Sequence, residues 1–270
     1  MVGCGKGAFI IENCKHLNKN DILYVKDVSE YYEQSIYQWN QNQLGSDRWY
    51  SYLKEIESIS SINELQFTSP ITFLVGENGS GKSTLLEAIA IAAGFNPEGG
   101  SKNYRFSTHD SHSELYNALQ LVRGYRKEKW GYFLRAESFY NVASKEEEYV
   151  DSKHPSAKYH EQSHGESFLK LAKKTLTPNG LYLLDEPEAA LSPQRQLSLL
   201  IEISECAKNG SQFIIVTHSP ILLGIPNANI YTFDDGPIHS CSYEETNSYQ
   251  VMKMFINNKD DLLRRLLENE

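Results

Sequence analysis

The sequence predicts an α/β fold: a mostly parallel sheet flanked by helices, with an antiparallel β part near the N-terminus. Three observations carry this. Short apolar runs at residues 62–67, 71–75, 130–134, 181–184, 213–217 and 230–233 alternate with segments of helical periodicity. The run Ile71–Val75 passes through a glycine-rich turn straight into the helical stretch 85–93. The run 181–184 is apolar at every position, as a strand buried on both faces must be, and it ends in two acids.

Along the chain, residues 8–11 and 22–25 are short apolar runs with polar punctuation and read as antiparallel strands. Residues 29–60 are dense in Tyr and Trp among polar residues and predict one or two amphipathic helices, an insert on the main domain. A helix is expected over 84–93, and a Gly-, Asn- and Pro-rich loop over 94–108. Helical periodicity predicts helices at 113–122, 166–175, 193–208 and 249–269. Residues 143–165 are polar and read as a loop. The expected organisation is one main domain over 1–240, with a helical lid region at 94–175, and a C-terminal helical extension over 241–270.

Composition narrows the function classes. The chain has 270 residues, 40% of them hydrophobic, enough for a large core. No apolar stretch reaches about 18 residues, so no membrane span is expected. The first residues lack the pattern of a secretion signal. Cys4, Cys14, Cys206 and Cys241 form no C-x-x-C pair, which favours neither a zinc site nor a disulfide framework and fits a cytoplasmic protein. A net charge of −9 disfavours bulk electrostatic binding of nucleic acid. The segment RGYRKEK at 123–129 is the best local basic patch, read as a solvated loop.

Residues 76–84 read GENGSGKST, between a strand and a helix. Gly79 and Gly81 allow the backbone to curl so that successive N–H groups point inward, an anion nest at a helix N-terminus. Asn78, Gly79, Ser80, Gly81, Lys82, Ser83 and Thr84 are therefore candidate phosphate-binding residues. Lys82 is placed for the β- and γ-phosphates and Ser83 for Mg²⁺. Asp185, at the carboxyl end of its strand, is a candidate Mg²⁺ ligand. Glu186, one residue on, is a candidate for polarising water. His218, ending the run FIIVTHS at 213–219, could donate to a γ-phosphate. Ser163-His164-Gly165-Glu166-Ser167 opens a helix and offers a second anion site through Ser163 and Gly165. His154, His160 and His164 fall in a polar loop and are not read as a metal site.

Taken in order, these segments resemble the ATP-binding-cassette (ABC) ATPase superfamily. GENGSGKST is similar to its Walker A motif, SHGES to its signature, LYLLDE to Walker B, VTHS to the switch histidine and residues 188–192 to the D-loop. The resemblance spans residues 62–233. The signature carries His164 and Glu166 where transporters usually have Gly and Gln. DEPEAALSP follows where transporters have DEPT. These departures resemble the non-transport branch: RecF- and SMC-like ATPases, OLD-type ATPases and small stand-alone bacterial AAA-family ATPases. Glu137, in GYFLRAESFY, stands where the Q-loop glutamine is usual and is a candidate metal or water ligand.

The resemblance implies ATP and Mg²⁺ as cofactors, Lys82, Glu186 and His218 as catalytic residues, and hydrolysis of ATP. It implies a head-to-tail homodimer in which Ser163 and Gly165 of one copy close over the triphosphate of the other. It further implies a protein partner, an effector or nuclease, in DNA repair or in defence against phage and plasmids. The alternatives are the nucleotide-binding subunit of a membrane transporter, an ATP-dependent DNA-binding clamp, and a small-molecule kinase. The aromatic residue that stacks on adenine is left open.

Overall fold

A computed structural model of the chain describes residues 23–26, 56–62, 64–102, 115–116, 119–123, 128, 130–135, 164–189 and 191–267. In chain order the elements are β1 (Leu23–Lys26), α1 (Glu57–Ser60), β2 (Glu64–Gln66), β3 (Ile71–Val75), α2 (Lys82–Ala92), β4 (Gly100–Ser101), β5 (Gln120–Arg123) and β6 (Trp130–Arg135). Then follow α3 (His164–Thr175), β7 (Gly180–Asp185), α4 (Pro193–Lys208), β8 (Gln212–Val216), α5 (Pro220–Leu223), β9 (Asn229–Thr232), β10 (His239–Ser240) and α6 (Asn247–Leu267).

Seven strands form the main sheet in the order β10-β9-β3-β8-β7-β6-β4. The five central strands run parallel, and β10 and β4 are antiparallel edges. Side chains alternate faces along each strand, and both faces are apolar, so each must be covered. On one face Leu74, Leu181, Leu183, Ile214 and Val216 pack with Leu85, Leu86 and Ile89 of α2. On the other, Phe73, Tyr182, Leu184, Phe213 and Ile215 pack with Phe168 and Leu171 of α3 and Leu199 and Ile203 of α4. Tyr182 is fully buried yet satisfied: it stacks on Phe213 at 4.9 Å, and its hydroxyl donates to the Thr175 and Thr177 carbonyls. The smaller antiparallel sheet, β2-β1-β5, lays Leu65, Leu121 and Val122 against the α2 side.

The helix expected at 113–122 is corrected. Residues 120–123 form strand β5, paired antiparallel with β1 almost a hundred residues earlier. Leu121 and Val122 satisfy a helical pattern as well as a strand pattern, and the distant partner decides between them. The loop expected over 94–108 contains the short edge strand β4, reached through Gly99 and Gly100 at positive φ. The expected strand at 8–11 and most of the expected insert at 29–60 lie outside the described residues. The last turn of that insert, α1, is helical. Helix α2 begins at Lys82, two residues before the expected start.

Register gathers the site. Across the parallel strands Arg135 pairs with Asp185, Asp185 with Val216, Leu74 with Val216, and Val75 with Thr232. The carboxyl ends of β6, β7, β8, β3 and β9 thus form one level edge. The residues just beyond that edge carry the charged groups, the crevice position where open α/β sheets bind ligands.

Candidate phosphate-binding site

The loop after β3 is held in a conformation that few residues permit. Gly76, Gly79 and Gly81 have φ of 141°, 85° and 95°. At Gly81 a Cβ would lie 2.8 Å from Ile59, so α1 presses directly on the loop. Ser58 adds a hydrogen bond from its hydroxyl to the Ser80 carbonyl at 2.6 Å. This support from α1 was not foreseen from sequence.

Lys82 is buried at the start of α2, and its ammonium donates to the carbonyls of Gly76 (2.8 Å) and Glu77 (2.7 Å), with Ser80 Oγ at 3.4 Å. Burial pushes its pKa below the usual lysine value, while Asp234, Glu186, Asp185 and Glu77 push the other way. The Ser83 hydroxyl donates to Asp185 Oδ1 at 2.8 Å, joining residues 102 positions apart. A hydroxyl beside a carboxylate is an all-oxygen donor pair, the chemistry that suits Mg²⁺, which usually takes few protein ligands beside phosphate and water. Ser83 and Asp185 could hold that ion. No cluster of three or more His, Cys, Asp or Glu poised for a metal occurs among the described residues.

Glu186 follows β7 with φ of 48°, a left-handed conformation rare for a residue with a side chain. Its N–H donates to the Val216 carbonyl at 2.9 Å, which fixes the turn. His218 lies beyond β8, and its Nε2 is 3.8 Å from Glu186 Oε1. That nitrogen is buried and has no hydrogen-bond partner among the described residues, as a donor awaiting an acceptor would be. The backbone N–H of His218 donates to Glu188 Oε1 at 2.6 Å. Burial raises the Glu188 pKa, opposed by hydrogen bonds from Thr217 and His218.

The structure therefore brings Lys82, Ser83, Asp185, Glu186 and His218 to one edge. Asn78, Gly79, Ser80 and Thr84 complete the loop and the first turn of α2. His164 and Gly165 lie in the first turn of α3, whereas Ser163 and Glu137 lie outside the described residues. Two residues at the edge were missed. Arg135 reaches Asp185 Oδ2 at 3.9 Å and pairs with Glu87 at 2.6 Å. Asp234 accepts the Glu77 N–H at 2.7 Å. The only sequence signal for either is a charged residue at or just past the end of an apolar run. A cavity of about 1100 Å³ opens beside the loop, walled by Gly76, Glu77, His218 and Asp234 and, across from them, by Met252 and Phe255 of α6.

Residues 52–205, more than half of the chain, match the AAA domain family. The chain belongs to that family. Membership agrees with the resemblance to ABC-type ATPases drawn from the motifs. Among solved structures this AAA-domain chain is similar to an ATP-binding cassette of an ABC transporter, with 17% identity, 89% of this chain and 96% of that chain covered, and a TM-score of 0.44. It is also similar to the SMC head domain from Thermotoga maritima, with 16% identity, coverage of 66% and 92%, and a TM-score of 0.38. A third is the SmcHead bound to the C-winged helix domain of ScpA, with 15% identity, coverage of 67% and 94%, and a TM-score of 0.40. No curated protein matches the sequence. No helix among the described residues is long and apolar enough to cross a membrane.

Proposed function

We propose that this AAA-domain protein binds and hydrolyses ATP as an ABC-type ATPase, and that two copies close head to tail on ATP to drive or regulate a partner protein. The observation that carries the reading is the 2.8 Å contact between Ser83 and Asp185, made beside a caged lysine at the carboxyl edge of the sheet. Mg²⁺, held by Ser83 and Asp185, would neutralise phosphate charge when bound with ATP.

The chain's own residues supply the rest. The turn Gly79–Gly81 and the first turn of α2 present N–H groups to phosphate. Lys82 exchanges its loop carbonyls for β- and γ-phosphate oxygens, a low-cost swap because the ammonium is already desolvated. Glu186 accepts a proton from the attacking water. His218 turns its unpartnered Nε2 toward the γ-phosphate. Ser163 and Gly165 of a second copy complete the triphosphate shell, so ATP contacts both copies only in the closed dimer and shifts the equilibrium toward it. Service to an effector or nuclease in DNA repair or in anti-phage and anti-plasmid defence is the role this branch suggests.

The test is the Glu186→Gln variant, which retains shape and loses the base. It is expected to bind ATP and to double in mass by light scattering when Mg²⁺ and ATP are added, while Lys82→Ala stays monomeric. A Glu186→Gln protein that remains monomeric at saturating ATP rejects the closed dimer.

A further inference from the structure

We propose that Asp234 is a positioning residue that clamps the Gly76–Glu77 peptide and relays the state of the phosphate loop to helix α6. The inference rests on the reading of residues 76–84 as a triphosphate loop and adds a residue and a route that the reading does not contain.

One peptide unit is gripped from both ends. Its carbonyl, on Gly76, accepts from the Lys82 ammonium at 2.8 Å. Its N–H, on Glu77, donates to Asp234 Oδ1 at 2.7 Å. A cation on the oxygen and an anion on the hydrogen polarise the same amide in the same sense, so each bond strengthens the other. The approach is close enough to dictate sequence. A Cβ on Gly76 would lie 2.9 Å from Asp234 Oδ1, so a larger residue there would push the carboxylate off the amide.

Asp234 is itself well fixed. Its strand β9 pairs with β3, and the Phe233 N–H continues the ladder to the Val75 carbonyl at 2.9 Å. The Asp234 N–H donates to Thr232 Oγ1 at 3.2 Å. The second carboxylate oxygen accepts from Asn247 Nδ2 at 3.3 Å, and Asn247 is the first residue of α6. The start of α6 has a second tether, because the Tyr243 ring lies tilted against that of Tyr249 with centroids 4.6 Å apart, and its hydroxyl donates to the Pro220 carbonyl at 2.9 Å, two residues after His218.

The consequence concerns the moment Lys82 turns to phosphate. The Gly76 carbonyl then loses its donor, and a glycine with φ of 141° has little to stop it turning. Asp234 holds the other end of the amide and keeps the loop open to the ligand. With the Lys82 cation withdrawn, the pull on the carboxylate changes, and Asn247 passes the change to α6. None of the α6 side chains is buried in the body, so its first turns can respond.

The experiment measures binding of a fluorescent N-methylanthraniloyl ATP with Mg²⁺ to the full chain, together with hydrogen exchange of the amides at 247–257. Asp234→Ala is expected to weaken binding about tenfold with cooperative melting retained. Asp234→Asn, which keeps an acceptor for the Glu77 N–H, should stay within about threefold of wild type. Mg²⁺ and ATP should alter exchange at 247–257 in wild type, and the response should vanish in Asp234→Ala and Asn247→Ala. Asp234→Ala binding within twofold of wild type overturns the clamp, as does an Asp234→Asn protein as weak as Asp234→Ala. If Asp234→Ala does not fold, Asp234→Asn and Asn247→Ala decide the matter. Unchanged exchange at 247–257 in wild type overturns the relay. Wild type that binds no better than Lys82→Ala overturns instead the triphosphate reading beneath both.

Discussion

Glu186 and Glu188 sit two residues apart in the same turn, yet their surroundings give them different work. Glu186 is held at φ of 48°, half exposed, near His218. Glu188 accepts from the His218 backbone, and its Oε2 is buried without a hydrogen-bond partner among the described residues. Burial therefore favours the neutral form of Glu188 in the folded protein and raises its pKa above 4.5. The stability this group contributes is fully present below pH 4.5 and is lost as pH rises through the higher folded value. Glu188→Gln keeps an oxygen for the His218 N–H and removes the charge. It is expected to raise Tm by about 2–4 °C at pH 8, with the gain fading toward pH 4. A Tm below wild type at pH 8 contradicts the argument. At the same scale, Asp185, Glu186, Asp234 and Glu77 all act on Lys82, a crowd of negative charge where a polyanion would bind. Without a divalent cation that charge repels phosphate. Chelation of Mg²⁺ with EDTA should therefore weaken binding of the fluorescent ATP analogue at least tenfold. Equal affinity with and without EDTA contradicts the assignment of Ser83 and Asp185.

Among elements, β6 and β7 carry the most consequential pairing. Their register sets Arg135 opposite Asp185, so one aspartate answers to the Ser83 hydroxyl through Oδ1 and to an arginine through Oδ2. The pairing demands a glycine at 131, where a Cβ would lie 2.6 Å from the Phe95 ring and 2.8 Å from the Leu181 carbonyl. Phe95 can shift, but a carbonyl of the neighbouring strand cannot without moving β7. Gly131→Ala is expected to cost about 1–3 kcal/mol, lowering Tm by roughly 5 °C in thermal melts. An unchanged Tm would show that the sheet tolerates the shift. Helix α6 behaves differently. It bends at Asn258, whose φ is −133°, and leaves Val251, Met252, Met254, Phe255 and Ile256 exposed.

For the molecule as a whole, the strands converge on one edge, and the two apolar layers make that edge stiff. Both faces of the sheet are covered, by α2 on one side and by α3 and α4 on the other, so the loops beyond β3, β7, β8 and β9 are anchored in the same rigid body. A nucleotide held there would meet groups already fixed in position, and the proposed closure of two copies would bring the α3 end of one to the loop of the other. Light scattering of Glu186→Gln addresses that closure directly.

Much of this was legible because some chemistry needs contiguous residues. A glycine-rich turn between a strand and a helix is written contiguously along the backbone, so GENGSGKST stands out as a candidate phosphate loop, and a buried strand ending in acids stands out through its unbroken apolar run. The segment 113–122 misled because Leu121 and Val122 suit two periodicities, and the choice fell to a partner at residues 23–26. Arg135 and Asp234 were hidden for a related reason: each matters only through register with a strand distant in sequence. The sequence by itself determined the α/β class and singled out the glycine-rich loop and Lys82, Ser83, Asp185, Glu186 and His218 as candidates, because backbone curvature and burial are encoded locally. Only the tertiary structure decided that Ser83 meets Asp185, that α1 braces the loop and that Asp234 grips it, because contacts between helices, strand ends and loops distant in sequence depend on packing and register that no local pattern specifies.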